Sequence, residues 1–248
     1  ACFTLAYGYI GGYGDNKEEL YLLLLISTLG ALFMVCADNL ASFFVSLELL
    51  SVPLYGMLAY TYERGKSLEA GFKYLILSAT ASATMLMGMA LIYSNTGTLS
   101  FRQIGMAIVP MFQNGIVMPI LVVGTALMLF GIAFKLSAVP FHTWTPDVYQ
   151  GAPAPVATFL GSVSKVAMMA LGLRFLLSTA TLALPAINTL IVVIASLSMI
   201  IGNVLALRQQ NIKRLLAYSS IAHIGYVLAI ISAVKVESAG FVSLYMAV

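Results

Sequence analysis

Four ionisable side chains, Glu48, Lys73, Lys135 and Lys165, stand in stretches that are otherwise almost wholly apolar. An ionisable group inside a bilayer costs about 2.5–3.5 kcal/mol even on a lenient insertion scale, so passage of a proton or ion is its default reading. Glu48 falls inside the apolar run 40–60, about 12 Å deep by helix rise. A structural carboxyl, neutral or paired with another helix, is the alternative. Pro53 has no N–H for the Leu49 carbonyl and so leaves a polar backbone group one turn from Glu48. Lys73 comes about 9 Å into the run 67–93, with Glu69 four residues earlier, the spacing that puts both on one helical face. A lysine snorkelling from near a helix end fits those facts equally.

Lys165, counted from Pro155, lies about 15 Å deep, too far for easy snorkelling, and Ser162 and Ser164 are expected as its polar lining. A desolvated lysine suits a group that must take up and release a proton. Lys135 precedes a region holding four of the eight prolines: Pro140, Pro146, Pro153 and Pro155. A helix broken there at membrane depth would expose carbonyls beside the lysine, as happens where irregular backbone lines a cavity. An ordinary loop outside the membrane is the other reading. His142, Trp144 and Tyr149 fit both, since Trp and Tyr favour interfaces. His223, between Ser219-Ser220 and Tyr226, could relay protons through those hydroxyls or be a hydrogen-bonded structural histidine.

The elements that must position these groups follow from composition. Of 248 residues 61% are hydrophobic and only 8% charged, against about 25% charged in a soluble domain. At about 20 residues per crossing, seven or eight transmembrane helices fit. Polar punctuation divides the chain into apolar runs at 20–37, 40–60, 67–93, 115–136, 155–177, 182–207 and 215–234. All should be helices, because no alternating strand pattern of a barrel occurs. Asp38-Asn39 is short enough to make the first two a tight hairpin, whereas 94–114 and 137–154 are long connections. If 115–154 crosses once in total, one side carries Lys17, Arg64, Lys66, Arg208, Lys213 and Arg214 and the other Arg102, Arg174 and Lys235. This bias places the Lys17 side in the cytoplasm or its organellar equivalent.

Other chemistries find no support. The net charge of +3 and the lack of a long basic run argue against nucleic acid. Cys2 and Cys36 show no metal spacing, and His142 with His223 is the only histidine pair, without a haem motif. There is no glycine-rich phosphate loop and no nucleophile elbow. The chain begins at Ala1 and ends in an apolar run that starts at Ala239, so an internal piece of a longer protein is expected.

The run from Phe134 through Lys135, Pro140, His142, Trp144, Pro146-Asp147-Val148-Tyr149 and Pro155 to Val156 resembles subunit N of the proton-pumping NADH:quinone oxidoreductases (respiratory complex I), an antiporter-like membrane subunit family. So do 211–226, 44–49 and 67–74, and the resemblance covers nearly everything from Asp15 onward. The related L and M subunits and cation/proton antiporters tend to carry Pro-Asp-Ala-His where this chain has Pro146-Asp147-Val148-Tyr149.

The resemblance implies an all-α, polytopic bundle of two inverted five-helix repeats, truncated at both ends, with one partial domain over 15–248. The first repeat would span about 20–178 and the second would start at about 182. It implies a helix interrupted between Lys135 and Pro155, a coupled Glu48–Lys135 pair, and Lys165 continuing a central proton path. Lys73 joins these as a proton-translocating residue, with His142, His223 and Glu69 as further relay candidates. It also implies a translocase subunit with no redox site or metal of its own, since NADH, FMN, iron–sulfur clusters and quinone are used by other subunits. The implied partners are M-type and small K-, J- and A-type membrane subunits, the lipid bilayer and protons, in a bacterial cell inner membrane. A sodium/proton antiporter subunit and a purely structural membrane subunit are the competing readings.

Overall fold

A computed structural model describes residues 17–61, 65–113 and 118–233. The described residues hold α1 Lys17–Cys36, α2 Leu40–Leu58, α3 Gly65–Thr96, α4 Phe101–Gln113, α5 Pro119–Leu136 and α6 Trp144–Gly151. After these, α7 Ala154–Phe159, a π-helical turn Leu160–Ser164 and α8 Lys165–Ser178 form one rod, and α9 Pro185–Leu207 and α10 Ile212–Ala233 complete them. Seven of these segments are long and apolar enough to cross a membrane, as the apolar runs require. Arg64, Lys235 and Cys2 lie outside the described residues.

The hairpin between α1 and α2 closes as its short polar link predicts. Asn39 caps α2 by accepting from the Ser42 N–H at 2.7 Å, which satisfies a donor the helix cannot. The two rods then pack at Gly30, where a Cβ would strike the Leu50 backbone. Ser27 Oγ donates across the same contact to the Leu50 carbonyl at 3.0 Å. At the far end of α1 the Arg174 guanidinium donates to the Val35 and Ala37 carbonyls. A cation there complements the negative end of the helix dipole.

Two helices lie where long connections were expected. The first, α4, buries Phe101, Ile104 and Ile108 on one stripe, while Arg102 and Met106 face out. Phe101 meets the Phe175 ring edge-on with centroids 5.4 Å apart. With 13 residues, α4 is too short to cross, so a search for 20-residue apolar runs passes over it. The second, α6, belongs to the interrupted helix.

Glycine contacts set the register of that interruption. A Cβ on Gly88 of α3 would lie 2.6 Å from the Gly124 carbonyl oxygen of α5, and one on Gly131 would lie 2.8 Å from Met85 Cβ. The helix α5 therefore runs antiparallel along α3. Gly151, at the end of α6, abuts the Lys66 carbonyl near the start of α3, so α6 continues the same descent. The gap between them lies beside Ser78, about 20 Å from one end of α3 and about 27 Å from the other at 1.5 Å per residue. An interruption at membrane depth, and not a loop outside it, joins the two halves.

The gap keeps its backbone satisfied. Ser137 ends α5 in the left-handed region at φ 65°, and its N–H and that of Ala138 return to the Phe134 and Ala133 carbonyls at 2.9 and 2.8 Å. Trp144 Nε1 donates to the Phe134 carbonyl at 3.2 Å. The Val139 N–H donates to Ser198 Oγ of α9 at 2.9 Å. Non-helical backbone away from water is tolerated only with such partners.

Because the two nearest atoms facing Gly88, the Gly124 carbonyl oxygen and the Met128 nitrogen, are backbone, they cannot swing aside. Gly88→Ala should lower the thermal denaturation midpoint of the detergent-solubilised full-length protein, at a cost of about 1–3 kcal/mol for overpacking. An unchanged midpoint would show that α3 and α5 do not approach this closely.

Candidate functional site

The end of α5 delivers Lys135 into the interior, where the residue is 5% exposed. Its Nζ donates to Ser51 Oγ of α2 at 2.7 Å and to Ser78 Oγ of α3 at 2.6 Å. Tyr74 lies beside it, with its ring centroid 5.6 Å from Nζ. Tyr74 also packs on Trp144 and Tyr55, at centroid distances of 5.0 and 5.5 Å. An aromatic wall thus screens the cation, and two hydroxyls solvate it.

Glu48 stands one turn from Ser51 on α2, partly buried, with Oε1 enclosed and without a hydrogen-bond partner. No ion pair joins Glu48 to Lys135 among the described residues. The coupled pair that the resemblance implies is therefore not in direct contact: serine hydroxyls occupy the ammonium. Charges at this range still interact through a low-dielectric interior.

Lys165, 4% exposed, opens α8 directly after the π-helical turn. Its Nζ donates to Ser220 Oγ of α10 at 2.8 Å and lies 5.8 Å from the Tyr149 ring centroid. Of the polar lining expected from Ser162 and Ser164, Ser164 is buried next to Lys165 in the chain, whereas Ser162 does not belong to it. Ser162 faces outward and donates to the Thr158 carbonyl at 2.7 Å, and the lysine's partner comes from a helix 55 residues away in sequence. Three residues apart, Ser162 and Lys165 would share a face of a regular α-helix, but the π-helical turn Leu160–Ser164 between them changes that phase.

Lys73 is not part of this interior group. Its side chain is 42% exposed and sits 2.7 Å from Glu69 and 3.2 Å from Asp147. The other Asp147 oxygen accepts from Arg214 at 2.7 Å, and Arg214 also reaches Gln150 at 3.0 Å. Lys213 Nζ donates to the Ala152 carbonyl just past α6 at 2.8 Å. The Glu69–Lys73 spacing forms the expected helical pair, but within a cluster that ties α6 to α3 and α10. Beside it is a polar cavity of about 130 Å³ lined by Lys66, Glu69, Lys73, Asp147 and Gln150.

The histidines are less central than the sequence suggests. His142 sits in the gap, partly buried, with Nδ1 enclosed and unpartnered. His223 is exposed on α10, where it meets Tyr226 edge-on at 5.9 Å. The Tyr226 hydroxyl accepts from Asn203 at 3.1 Å, and the Ser220 hydroxyl accepts from Lys165 and donates to the Ala217 carbonyl, not to His223. Cys36 is exposed and unpaired. Among the described residues no cluster of three His, Cys, Asp or Glu could hold a metal ion.

The site is thus two buried ammonium groups, each held by hydroxyls from other helices, with an enclosed carboxylate oxygen nearby and a break in the helix beside them. The sequence profile described as NADH:quinone oxidoreductase/Mrp antiporter, TM, matches residues 37–248. The chain belongs to this family. It is 60% identical over 248 residues to NADH-quinone oxidoreductase subunit N of Psychrobacter arcticus, covering 100% of this chain and 50% of that one. In three dimensions it is similar to a chain of respiratory complex I from Thermus thermophilus, at 36% identity and TM-score 0.79 over 97% of this chain and 51% of that one. It is also similar to a chain of the Mrp complex from Dietzia sp., at 25% identity and TM-score 0.81 over 90% and 41%. The chain spans about half the length of the relatives it matches. Its family and the seven apolar helices among the described residues make this antiporter-family chain an integral, multi-pass membrane protein.

Ser51 and Ser78 carry the geometry without having stood out in sequence, while Asp147, Arg214 and Ser220 were noted there for other reasons: a family motif, the charge of one membrane side and a hydroxyl near His223. If Asp147 bridges Lys73 and Arg214 as described, Asp147→Asn and Arg214→Gln should be non-additive in thermal denaturation, with a coupling of about 0.5 kcal/mol for so exposed a pair. Strict additivity would mean that the bridge contributes nothing.

Proposed function

We propose that the chain forms part of a proton-translocating membrane subunit of an NADH:quinone oxidoreductase in a bacterial inner membrane. Quinone reduction in other subunits would drive it, and Glu48, Lys135 and Lys165 would carry the protons. The observation that carries this reading is the pair of buried lysines whose described partners are neutral hydroxyls. A lysine fixed by a carboxylate would be a static ion pair, whereas one solvated by hydroxyls can lose its proton without stranding a buried anion. The broken helix adds backbone groups that can reorient beside Lys135.

Relatives at 49–60% identity bear the name NADH-quinone oxidoreductase subunit N, which favours redox-driven pumping over sodium/proton antiport. NADH, FMN, iron–sulfur clusters and quinone would be used by other subunits, as the resemblance to the complex I subunit implies. Further membrane subunits, M-type and the small K-, J- and A-types, would be the neighbours. Lys73 and Glu69 would act at the mouth of the path, in the polar cavity, and not in its centre.

The test uses the assembled complex containing the full-length chain, with proton pumping normalised to NADH:quinone reductase rate. Lys135→Met and Glu48→Gln should each reduce that ratio at least twofold. Lys165→Arg should do the same despite keeping the charge, because a guanidinium does not release its proton in a protein. Wild-type pumping by Lys165→Arg would show that Lys165 supplies a fixed charge. Unaltered ratios with poorer assembly for all three would establish a structural role, and a strict sodium requirement would favour the antiporter.

A further inference from the structure

The two hydroxyls on the Lys135 ammonium are not equivalent. Ser51 Oγ, besides accepting from Nζ, donates its only hydrogen to the Leu47 carbonyl at 2.7 Å. A carbonyl cannot pass a proton on, so this branch ends there. Ser78 Oγ instead lies 2.8 Å from the Tyr55 hydroxyl, and either of those two oxygens can donate. An ammonium only donates. When Lys135 is charged, Ser78 accepts from it and turns its own hydrogen to Tyr55. When Lys135 is neutral, the direction can reverse, with Tyr55 donating to Ser78 and Ser78 to Nζ.

Position gives this branch a direction. Along α2, Glu48 is three residues from Ser51 toward Leu40, whereas Tyr55 is four residues from it toward Leu58. Tyr55 therefore stands about 6 Å closer than Ser51 to the end that carries Lys66, Lys213 and Arg214. Ser51 and Ser78 are fully buried, while Tyr55 is only partly so. The Tyr74 ring packed against Tyr55 holds the phenol in place independently of its hydroxyl.

We infer that Ser78 and Tyr55 form a hydroxyl relay between Lys135 and the lysine-rich face of the membrane, an inference that rests on the function proposed above. In the inward step the Tyr55 oxygen accepts a proton from solvent and gives its original hydrogen to Ser78 Oγ. Ser78 gives its own hydrogen to neutral Lys135 Nζ. Each oxygen breaks one O–H bond as it forms another, the net change is one N–H bond at Lys135, and no electrons are exchanged. Rotation of both hydroxyls then resets the chain.

The experiment compares Tyr55→Phe, Ser78→Ala and Ser78→Thr with Lys135→Met in the assembled complex containing the full-length chain. Assembly is measured alongside proton pumping per quinone reduced. Tyr55→Phe keeps the ring and Ser78→Thr keeps the hydroxyl. The relay predicts at least a twofold lower ratio for Tyr55→Phe and Ser78→Ala at normal assembly, with recovery in Ser78→Thr. A wild-type ratio in Tyr55→Phe, with Lys135→Met defective, overturns the relay and leaves the function intact. A wild-type ratio in Lys135→Met overturns both. Should the Ser78 variants fail to assemble, Tyr55→Phe decides alone.

Discussion

The structure depends on solvating two lysine cations away from water. Transfer of an ammonium from water to a low-dielectric interior is costly unless its donors are met, and at Lys135 and Lys165 they are met by serine hydroxyls from other helices. That demand explains why α2, α3 and α5 converge on one point, and why α10 must approach the π-helical turn. It also explains the interruption of α5. Lys135 occupies the last turn of a helix that stops mid-membrane, where its cation complements the negative helix end and where Trp144 and Ser198 pair with the backbone groups that the stop sets free.

Chemistry and architecture are coupled through the short helix α6. On one side it presents Trp144 to the aromatic wall beside Lys135, and on another it presents Tyr149 to Lys165. Its outer end is tied by Asp147 to Lys73 and Arg214 and by the Ala152 carbonyl to Lys213. A shift of this helix would change the surroundings of both buried lysines together. The exposed ion cluster contributes little stability by itself, but it fixes where α6 stands between α3 and α10.

The close glycine contacts serve the same end. At Gly30, Gly88 and Gly151 the backbones come too near for a side chain, and at Gly88 this closeness joins α3 to α5, the two helices whose Ser78 and Lys135 meet. Within a membrane, where lipid tails are as apolar as leucine, such backbone approach is a main source of helix association.

The sequence by itself determined the helical class, the crossings, the hairpin at Asp38-Asn39 and the depth of Glu48 and Lys165 within their helices. Each follows from local quantities: apolar run length, helix rise and the position of prolines. The break after Leu136 was legible for the same reason, since Pro140 and its neighbours cannot continue a helix. The ammonium partners were not legible. Ser51, Ser78 and Ser220 are three of many serines in this chain, and nothing in a serine's own neighbourhood distinguishes one that faces a distant lysine. The sequence also suggested Ser162 beside Lys165 and His223 within a relay, where the helix phase turns both outward. The amphipathic α4 escaped a search tuned to bilayer thickness. Only the tertiary structure decided these points, because a hydrogen bond between helices depends on their rotation and register, which are set by packing contacts between residues far apart in the chain.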